Sequence, residues 1–414
     1  MEKRENRVVV SAIDLDASLG SIVPAAPAAC VRVLVRLRGR PVGWAELRMG
    51  DEAKIDPRRL RHVVMSQLGS ELAPLVIART EEPLKPPPEE PGISVVVCTR
   101  DRPAELEGCL AALGEVEYRR HEILVVDNAS AGDATAAVAR RFGVSCVREE
   151  RPGLNWARNR GIAESQHAIV AFTDDDARVD RLWLAGLARA FEDPAVDAVT
   201  GLVVPLELDT PAQRMFEYDY RGMGKGFKAR SFHRDGLTPQ QLVGIQAVGV
   251  GTNMAFRREL FSRIGAFDTV LDVGTPSRGG GDLDMFHRAV AGGAVLRYEP
   301  CAVVWHRHRR TVAALERQLG DDGRAFAIYL MKLWRTRTVP RRHVVSFAVR
   351  RWLRWLIGRL VRGILRRHAL PLPLLWAPVR EIFFAPIAYA RAERADRQIR
   401  QRDGVVASPP GVRG

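Results

Sequence analysis

Cysteine is scarce: five in 414 residues, at Cys30, Cys98, Cys109, Cys146 and Cys301, an odd number with no CxxC pair. That argues against a disulfide framework and against a structural zinc site. Cys98 and Cys146 sit inside apolar runs, where a buried thiol is the ordinary expectation. Long apolar runs are missing too. No uninterrupted stretch reaches the roughly 18 residues of a membrane span. The charged opening MEKRENR is followed by no apolar region with a cleavage site. A cytosolic chain is expected. Acidic residues are in deficit, with 49 Asp and Glu against 63 Lys and Arg, a net charge of +14. The imbalance is local: residues 341–403 hold 15 Arg and only 4 Asp and Glu. These arginines lie in an amphipathic segment without an interleaved base-stacking module, so nucleic acid is not an expected partner.

What is present suits a globular chain of two or three units, 46% apolar and 27% charged. Residues 1–88 read as a small α+β unit. Residues 31–37 and 42–47 are strand-like around the turn RGRP, and 57–73 has helical spacing with Leu60, Val63, Val64 and Leu68 on one side. No chemistry is clustered there. EEPLKPPPEEPG, residues 81–92, is a proline-rich linker. A second unit is expected over 89–310, a basic helical region over 311–403 and a disordered tail over 404–414.

From residue 93 strands and helices alternate. Residues 93–98, 122–126, 144–148 and 169–172 read as strands; 104–113, 134–142 and 156–166 read as helices. This is the pattern of an α/β domain with a mostly parallel sheet, whose ligands sit at the carboxyl ends of strands. The polar clusters fall at those ends: Thr99, Arg100 and Asp101 after the first strand, Asp127 and Asn128 after the second, Asp174, Asp175 and Asp176 after the fourth. Three adjacent carboxylates repel one another, and a divalent cation removes that penalty; oxygen ligands suit Mg²⁺ or Mn²⁺. Asp127 is placed to accept from a nucleobase edge, and Arg158 to reach a base or diphosphate.

Further strands are read at 196–204 and 248–256, with a short helix at 257–264. The polar connection 209–236 is read as a lid. In RGGGDLD, Asp282 stands where flexible glycines meet a helix start, as a base beside an incoming hydroxyl would. The alternative is a plain N-cap. His306, in VVWHRH, ends a strand and is a candidate third metal ligand.

The ordered set SVVVCTRDRP, EILVVDNAS, GLNWARNRGI, AFTDDDA, GTNMAFRRELFSRIGAFD, GGGDLDMFHRA and VVWHRH resembles family 2 glycosyltransferases of the GT-A fold, over roughly residues 93–310. The resemblance implies a Rossmann-like mixed sheet flanked by helices. It implies transfer of a glycosyl group from a nucleotide sugar to a hydroxyl acceptor, usually with inversion and a divalent cation. By position it implies nucleotide-sugar contacts for Thr99, Arg100, Asp101, Asp127, Arg158 and Asp175. Asp174 and Asp176 match the metal motif, and Asp282 the general base. The glutamate that usually precedes that base is Gly281 here, which leaves Asp284 as a competitor. A sugar nucleotidyltransferase would want a glycine-rich triphosphate loop after the first strand, and TRDRPAEL has no glycine.

Over 345–366, Val345, Val349, Trp352, Leu353, Leu356, Ile357, Leu360 and Ile364 fall on one helical face, with Arg350, Arg351, Arg354, Arg362 and Arg366 opposite. A basic amphipathic helix lying on anionic lipid is expected, at the inner face of the membrane. That suits a glycan, lipid-linked or other hydroxyl acceptor of polysaccharide or glycolipid synthesis. Residues 370–389 are apolar and proline-broken, and either dip into lipid or pack on the core.

Overall fold

The runs ISVVVCT, EILVV and IVAFT are β-branched and lack polar alternation, as strands buried on both faces do. The computed structural model describes residues 7–50, 52–78, 82–365 and 371–404. Its strands are β1 (Val8–Asp14), β2 (Cys30–Leu37), β3 (Arg40–Arg48), β4 (Ile93–Thr99), β5 (His121–Asn128) and β6 (Ser145–Glu149). Then come β7 (Ile169–Asp174), β8 (Ala177–Val179), β9 (Val196–Pro205), β10 (Arg230–Phe232), β11 (Asn253–Arg257) and β12 (Val295–His306).

The large sheet runs β10-β12-β9-β11-β7-β4-β5-β6, with β8 paired to β12. Strands β4, β5, β6 and β7 are parallel, as are β9 and β12, but β11 is antiparallel to both its neighbours. The α/β class holds, while the sheet is mixed rather than mostly parallel. The strand expected at 248–256 begins only at Asn253. Ile245–Val248 instead coils into a 3₁₀ turn, and the Val248 carbonyl accepts from the Thr200 hydroxyl. The reversal has a use: the start of β11 joins the ends of β4, β5, β7, β9 and β12 at one edge.

One sheet face packs Ala157, Phe286 and Tyr329 from the helices Leu154–Glu164, Gly281–Ala291 and Val312–Thr336. The other packs Leu110, Val138 and Trp183 from Pro103–Gly114, Ala134–Arg141 and Trp183–Ala190. The N-terminal strands form a separate sheet, β1-β2-β3, packed on the helix Pro57–Ala78 through Leu60, Val64 and Leu68. β1, parallel to β2, was not legible in the sequence pattern. This unit docks on the large sheet: Leu34 joins Leu202, Val204 and Val303, and Arg36 pairs with Asp180.

The apolar stretch at 370–389 is not broken by its prolines. A single helix, Leu372–Arg402, passes through Pro378 and Pro386. Its packing against Val312–Thr336 offsets the missing backbone bonds, with Leu374, Ala377, Ala385, Ala388 and Tyr389 buried. Expected side chains Leu360, Arg362, Ile364 and Arg366 lie outside the described residues, as do Glu81 of the linker and 405–414 of the tail. The described part of the 345–366 stripe is divided. Leu356 is buried and Trp352 half-buried, whereas Val345, Val349, Leu353 and Ile357 remain exposed.

The two long helices meet at Gly323, where an added Cβ would lie 2.7 Å from Pro378 Cα and 2.8 Å from its carbonyl oxygen. Backbone cannot move aside as a side chain does. Gly323→Val should therefore cost about 1–3 kcal/mol by overpacking, read from urea denaturation of the full chain.

Candidate active site

β7 delivers Asp174 at its last position, beside Cys98 of β4. The chain turns through Asp175 and Asp176 into β8, which pairs antiparallel with β12 and sets Ala177 opposite His306. That register brings imidazole and carboxylates together. One ligand atom each from Asp174, Asp176 and His306 lies within 4.8 Å of the others. The donor set of two carboxylates and one imidazole fits a divalent cation such as Mn²⁺.

The triplet is surrounded by positive charge. Asp176 faces His306 Nε2 at 3.4 Å, Arg102 Nη2 at 2.9 Å and Arg309 Nη1 at 3.8 Å. Burial works against its ionisation, yet His306 and Arg102 hold it well below the usual carboxylate range. Asp175 is turned inward, accepting from Thr99 Oγ1 at 2.7 Å and Arg102 Nη1 at 2.5 Å. Burial pushes its carboxyl up to about 7 despite those donors. Asp174 is half-buried, with Arg158 at 3.9 Å.

At the neighbouring strand ends, Asp101 has φ +53° and ties two loops together. Its amide donates to Ser130 Oγ at 3.0 Å, and its carboxylate accepts from the Ala131 amide at 2.8 Å. Arg100 is exposed, 3.8 Å from Asp101. Asp127 is buried. Its Oδ2 accepts from Arg148 at 2.9 Å, while its Oδ1 is buried with no partner among the described residues. An orphaned buried acceptor is uncommon and suits an absent donor such as a base edge.

A cavity of about 1070 Å³ opens beside the triplet. Asp174, Arg158, His306, Arg309, Asp282 and Asp322 all line it. Arg158 is buried, its guanidinium 5.3 Å from the Phe267 ring centre. Asp282 is aimed by two amides, Gly251 N to Oδ2 at 3.0 Å and Leu283 N to Oδ1 at 2.9 Å. Asp284 is fully buried away from the cavity, held by Arg288 Nε at 2.8 Å and Lys332 Nζ at 2.5 Å. Gly281 also has a physical reason. A Cβ there would run into Asn155 Nδ2 and stand 2.8 Å from the Leu271 carbonyl. The side chain of Asn155 fills the space a glutamate would need, donating to the Asp268 and Leu271 carbonyls.

Several site residues escaped the sequence reading. Arg102 sits three positions after Thr99 and bridges Asp175 and Asp176; its charge beside the strand end was the available signal. Arg148, at the end of β6, has the same kind of signal. Glu217 and His308 contact each other behind His306, and nothing in their local pattern marks them. Burial holds His308 below the usual imidazole range, and Glu217 only partly offsets it. Asp272 was also missed. It is buried at the cavity wall, accepts from the Asn155 amide at 2.9 Å, and has a partnerless Oδ1.

Burial raises the Asp272 carboxyl from 3.8 to about 7, against the opposing pull of nearby amides and Arg158. The folded chain thus holds a proton there that the unfolded chain has lost. Its contribution to stability is complete below about pH 4 and falls away as pH rises through 7. Asp272→Asn should remove that slope, read by urea denaturation from pH 4 to 8 with chelator present.

Residues 94–265 match the model described as Glycosyl transferase family 2. A pre-mycofactocin glycosyltransferase of Mycobacterium tuberculosis is 28% identical over 255 residues, 59% of this chain and 49% of that protein. The glycosyltransferase AglE of Haloferax volcanii is 26% identical over 239 residues, 55% of this chain and 71% of that protein. The chain thus spans about half the length of the mycobacterial relative, at 49%. Among solved structures, a mannosyltransferase from Pyrobaculum calidifontis in complex with GDP-Man and Mn2+ has a TM-score of 0.48 at 20% identity, covering 83% of this chain and 92% of that one. The sheet is mixed and flanked by helices, as the resemblance implied. Over residues 94–265 the chain is thus similar to glycosyl transferase family 2.

Proposed function

We propose that the protein transfers a glycosyl group from a nucleotide sugar to a hydroxyl acceptor, with inversion. The observation that carries this reading is the cavity wall that sets Asp282 with Asp174 and His306 around one space. Thr99, Arg100, Asp101, Asp127 and Arg158 form the nucleotide side. The free Oδ1 of Asp127 accepts from the base, and Asp175 fixes Thr99 and Arg102 in place. Asp174, Asp176 and His306 would hold the divalent cation, which supplies Lewis-acid neutralisation of the departing diphosphate. Arg158 and Arg309 add fixed positive charge to the same wall.

Asp282 takes the proton of the acceptor hydroxyl. The new bond from that oxygen to the anomeric carbon forms as the bond to the diphosphate oxygen breaks. The electron pair leaves with the nucleoside diphosphate. The two amides on Asp282 fix the carboxylate without consuming its capacity to take a proton. Asp284 is already engaged by two cations and serves packing.

A donor panel with Mn²⁺ or Mg²⁺ tests the activity through release of nucleoside diphosphate. Release of pyrophosphate from a nucleoside triphosphate and sugar phosphate, with no such transfer, would overturn it. Asp282→Asn should leave donor binding nearly unchanged and lower kcat by about 10²–10⁴. Asp284→Asn should instead lower stability. Loss of turnover in Asp284→Asn alone would move the base to Asp284.

The exposed apolar residues of the C-terminal region support a second part of the reading, peripheral attachment to anionic lipid at the inner face of the membrane. Trp355, Trp376, Phe383, Phe384 and Ile387 are exposed beside Arg350, Arg351 and Arg354. Among the described residues no helix is long and apolar enough to cross a membrane. Each basic residue at an anionic surface contributes roughly 1 kcal/mol. Because Trp352 and Trp355 also line the cavity, a lipid-linked acceptor would meet Asp282 from that side. The full chain should float with phosphatidylglycerol vesicles and less with phosphatidylcholine. The triple variant Trp355→Ser, Phe383→Ser, Phe384→Ser should float poorly with both, and equal flotation of the two proteins would reject attachment through this face.

A further inference from the structure

One arginine of the N-terminal sheet ends a continuous chain of polar contacts that begins at the triplet. His306 turns Nε2 toward Asp176 and Nδ1 toward His308 Nδ1, 3.3 Å away. His308 turns Nε2 toward Glu217 Oε2 at 3.3 Å. The other carboxylate oxygen of Glu217 lies 3.2 Å from Arg32 Nη1 on β2. The chain is shielded: both imidazoles are buried, and the side chains of Arg32 and Glu217 are each 11% exposed. Phe216 packs edge-on against His308, ring centres 4.8 Å apart. The Arg32 guanidinium lies 4.5 Å from the Trp44 ring centre and 5.0 Å from that of Tyr218.

Proton accounting gives this chain a direction. Glu217 only accepts, so the nitrogen of His308 that faces it carries the proton. His308 Nδ1 is then bare, and the nitrogen that faces it, His306 Nδ1, must donate. His306 Nε2 is left bare and pointed at the carboxylate triplet. The opposite assignment sets a bare His308 nitrogen against Glu217, where no cation can intervene; in this one the bare nitrogen faces Asp176 at 3.4 Å, where a cation held by Asp174, Asp176 and His306 would lie between them. Arg32 sets a guanidinium against the far end, 3.2 Å from Glu217 Oε1.

We propose that Arg32, Glu217 and His308 are positioning residues that fix His306 in the tautomer able to ligate a divalent cation. The N-terminal unit thereby serves the metal site without touching it. The proposal rests on the reading of His306 as a ligand.

The test uses the full chain and Mn²⁺ alone, with free Mn²⁺ followed by electron paramagnetic resonance. Glu217→Ala and His308→Ala should weaken Mn²⁺ binding by about 10–100-fold, the usual effect of removing a partner behind a ligand. Arg32→Met should shift it the same way by less. His308→Gln should retain most of the affinity, because a carboxamide accepts at one atom and donates at another. Nitrogen-15 histidine spectra of the chain saturated with diamagnetic Mg²⁺ supply the second readout. His306 should carry its proton on Nδ1 in the wild type and lose that preference in Glu217→Gln, a variant of unchanged shape that serves if Glu217→Ala fails to fold. Unchanged Mn²⁺ affinity in His306→Ala would overturn the ligand reading itself. A loss in His306→Ala with unchanged affinity and tautomer in the Glu217 and His308 variants would overturn the positioning chain alone.

Discussion

Three carboxylates in sequence at the end of a buried strand are an electrostatic liability, and much of the surrounding structure answers it. Each charge of the triplet repels the other two in a medium poorer than water at screening them. Arg102 bridges two of them, Arg158 approaches the third, and Arg309 and His306 close on Asp176. These groups come from three separate segments. The edge of the sheet is where segments so distant in sequence can meet. The same arrangement that makes the triplet tolerable in the folded chain makes it competent to exchange partners when a charged ligand arrives.

The sheet topology serves that gathering. Parallel strands alone would bring β4, β5 and β7 to one edge. The reversal at β11 and the long strand β12 extend the edge to His306, and the short pairing of β8 with β12 sets its distance from Asp176. Also lining the cavity, glycines at 279, 280 and 281 carry the chain close to its neighbours at the start of the helix that bears Asp282. At Gly281 no side chain can be added without moving Asn155 or the Leu271 carbonyl. The absence of an acidic residue before Asp282 is thus a matter of packing, and Asp282 is oriented by backbone amides instead.

Much of this was legible in the sequence because strand ends are local. A run such as IVAFT followed by DDD announces both the strand and the cluster at its mouth, and His306 follows its own apolar run in the same way. Partners that act across long separations were not legible. Glu217 stands 91 positions from His308, and Arg32 lies 185 positions before Glu217, in a unit with no visible chemistry. The antiparallel course of β11 was hidden for a related reason. Apolar periodicity marks a strand but not its direction, and VGVG reads as strand where the chain in fact turns. The prolines at 378 and 386 misled in the other direction, because tertiary packing against Val312–Thr336 outweighs a local helix-breaking preference.

The helix Leu372–Arg402 reaches back as far as the active-site side of the sheet. Asp396 accepts from Thr269 Oγ1 at 2.5 Å, Arg400 donates to the same hydroxyl at 2.8 Å, and the Arg400 guanidinium lies 5.2 Å from the Trp156 ring centre. Ala385, Ala388 and Tyr389 belong to the same apolar cluster as Phe172 and Phe256. During synthesis, therefore, the ribosome must release nearly the whole chain before that cluster can close and the segment from Thr269 to Asp282 can be pinned. Until then a nascent chain has its central strands made and one face of its sheet uncovered, a state in which exposed apolar surface favours association with other chains or with chaperones.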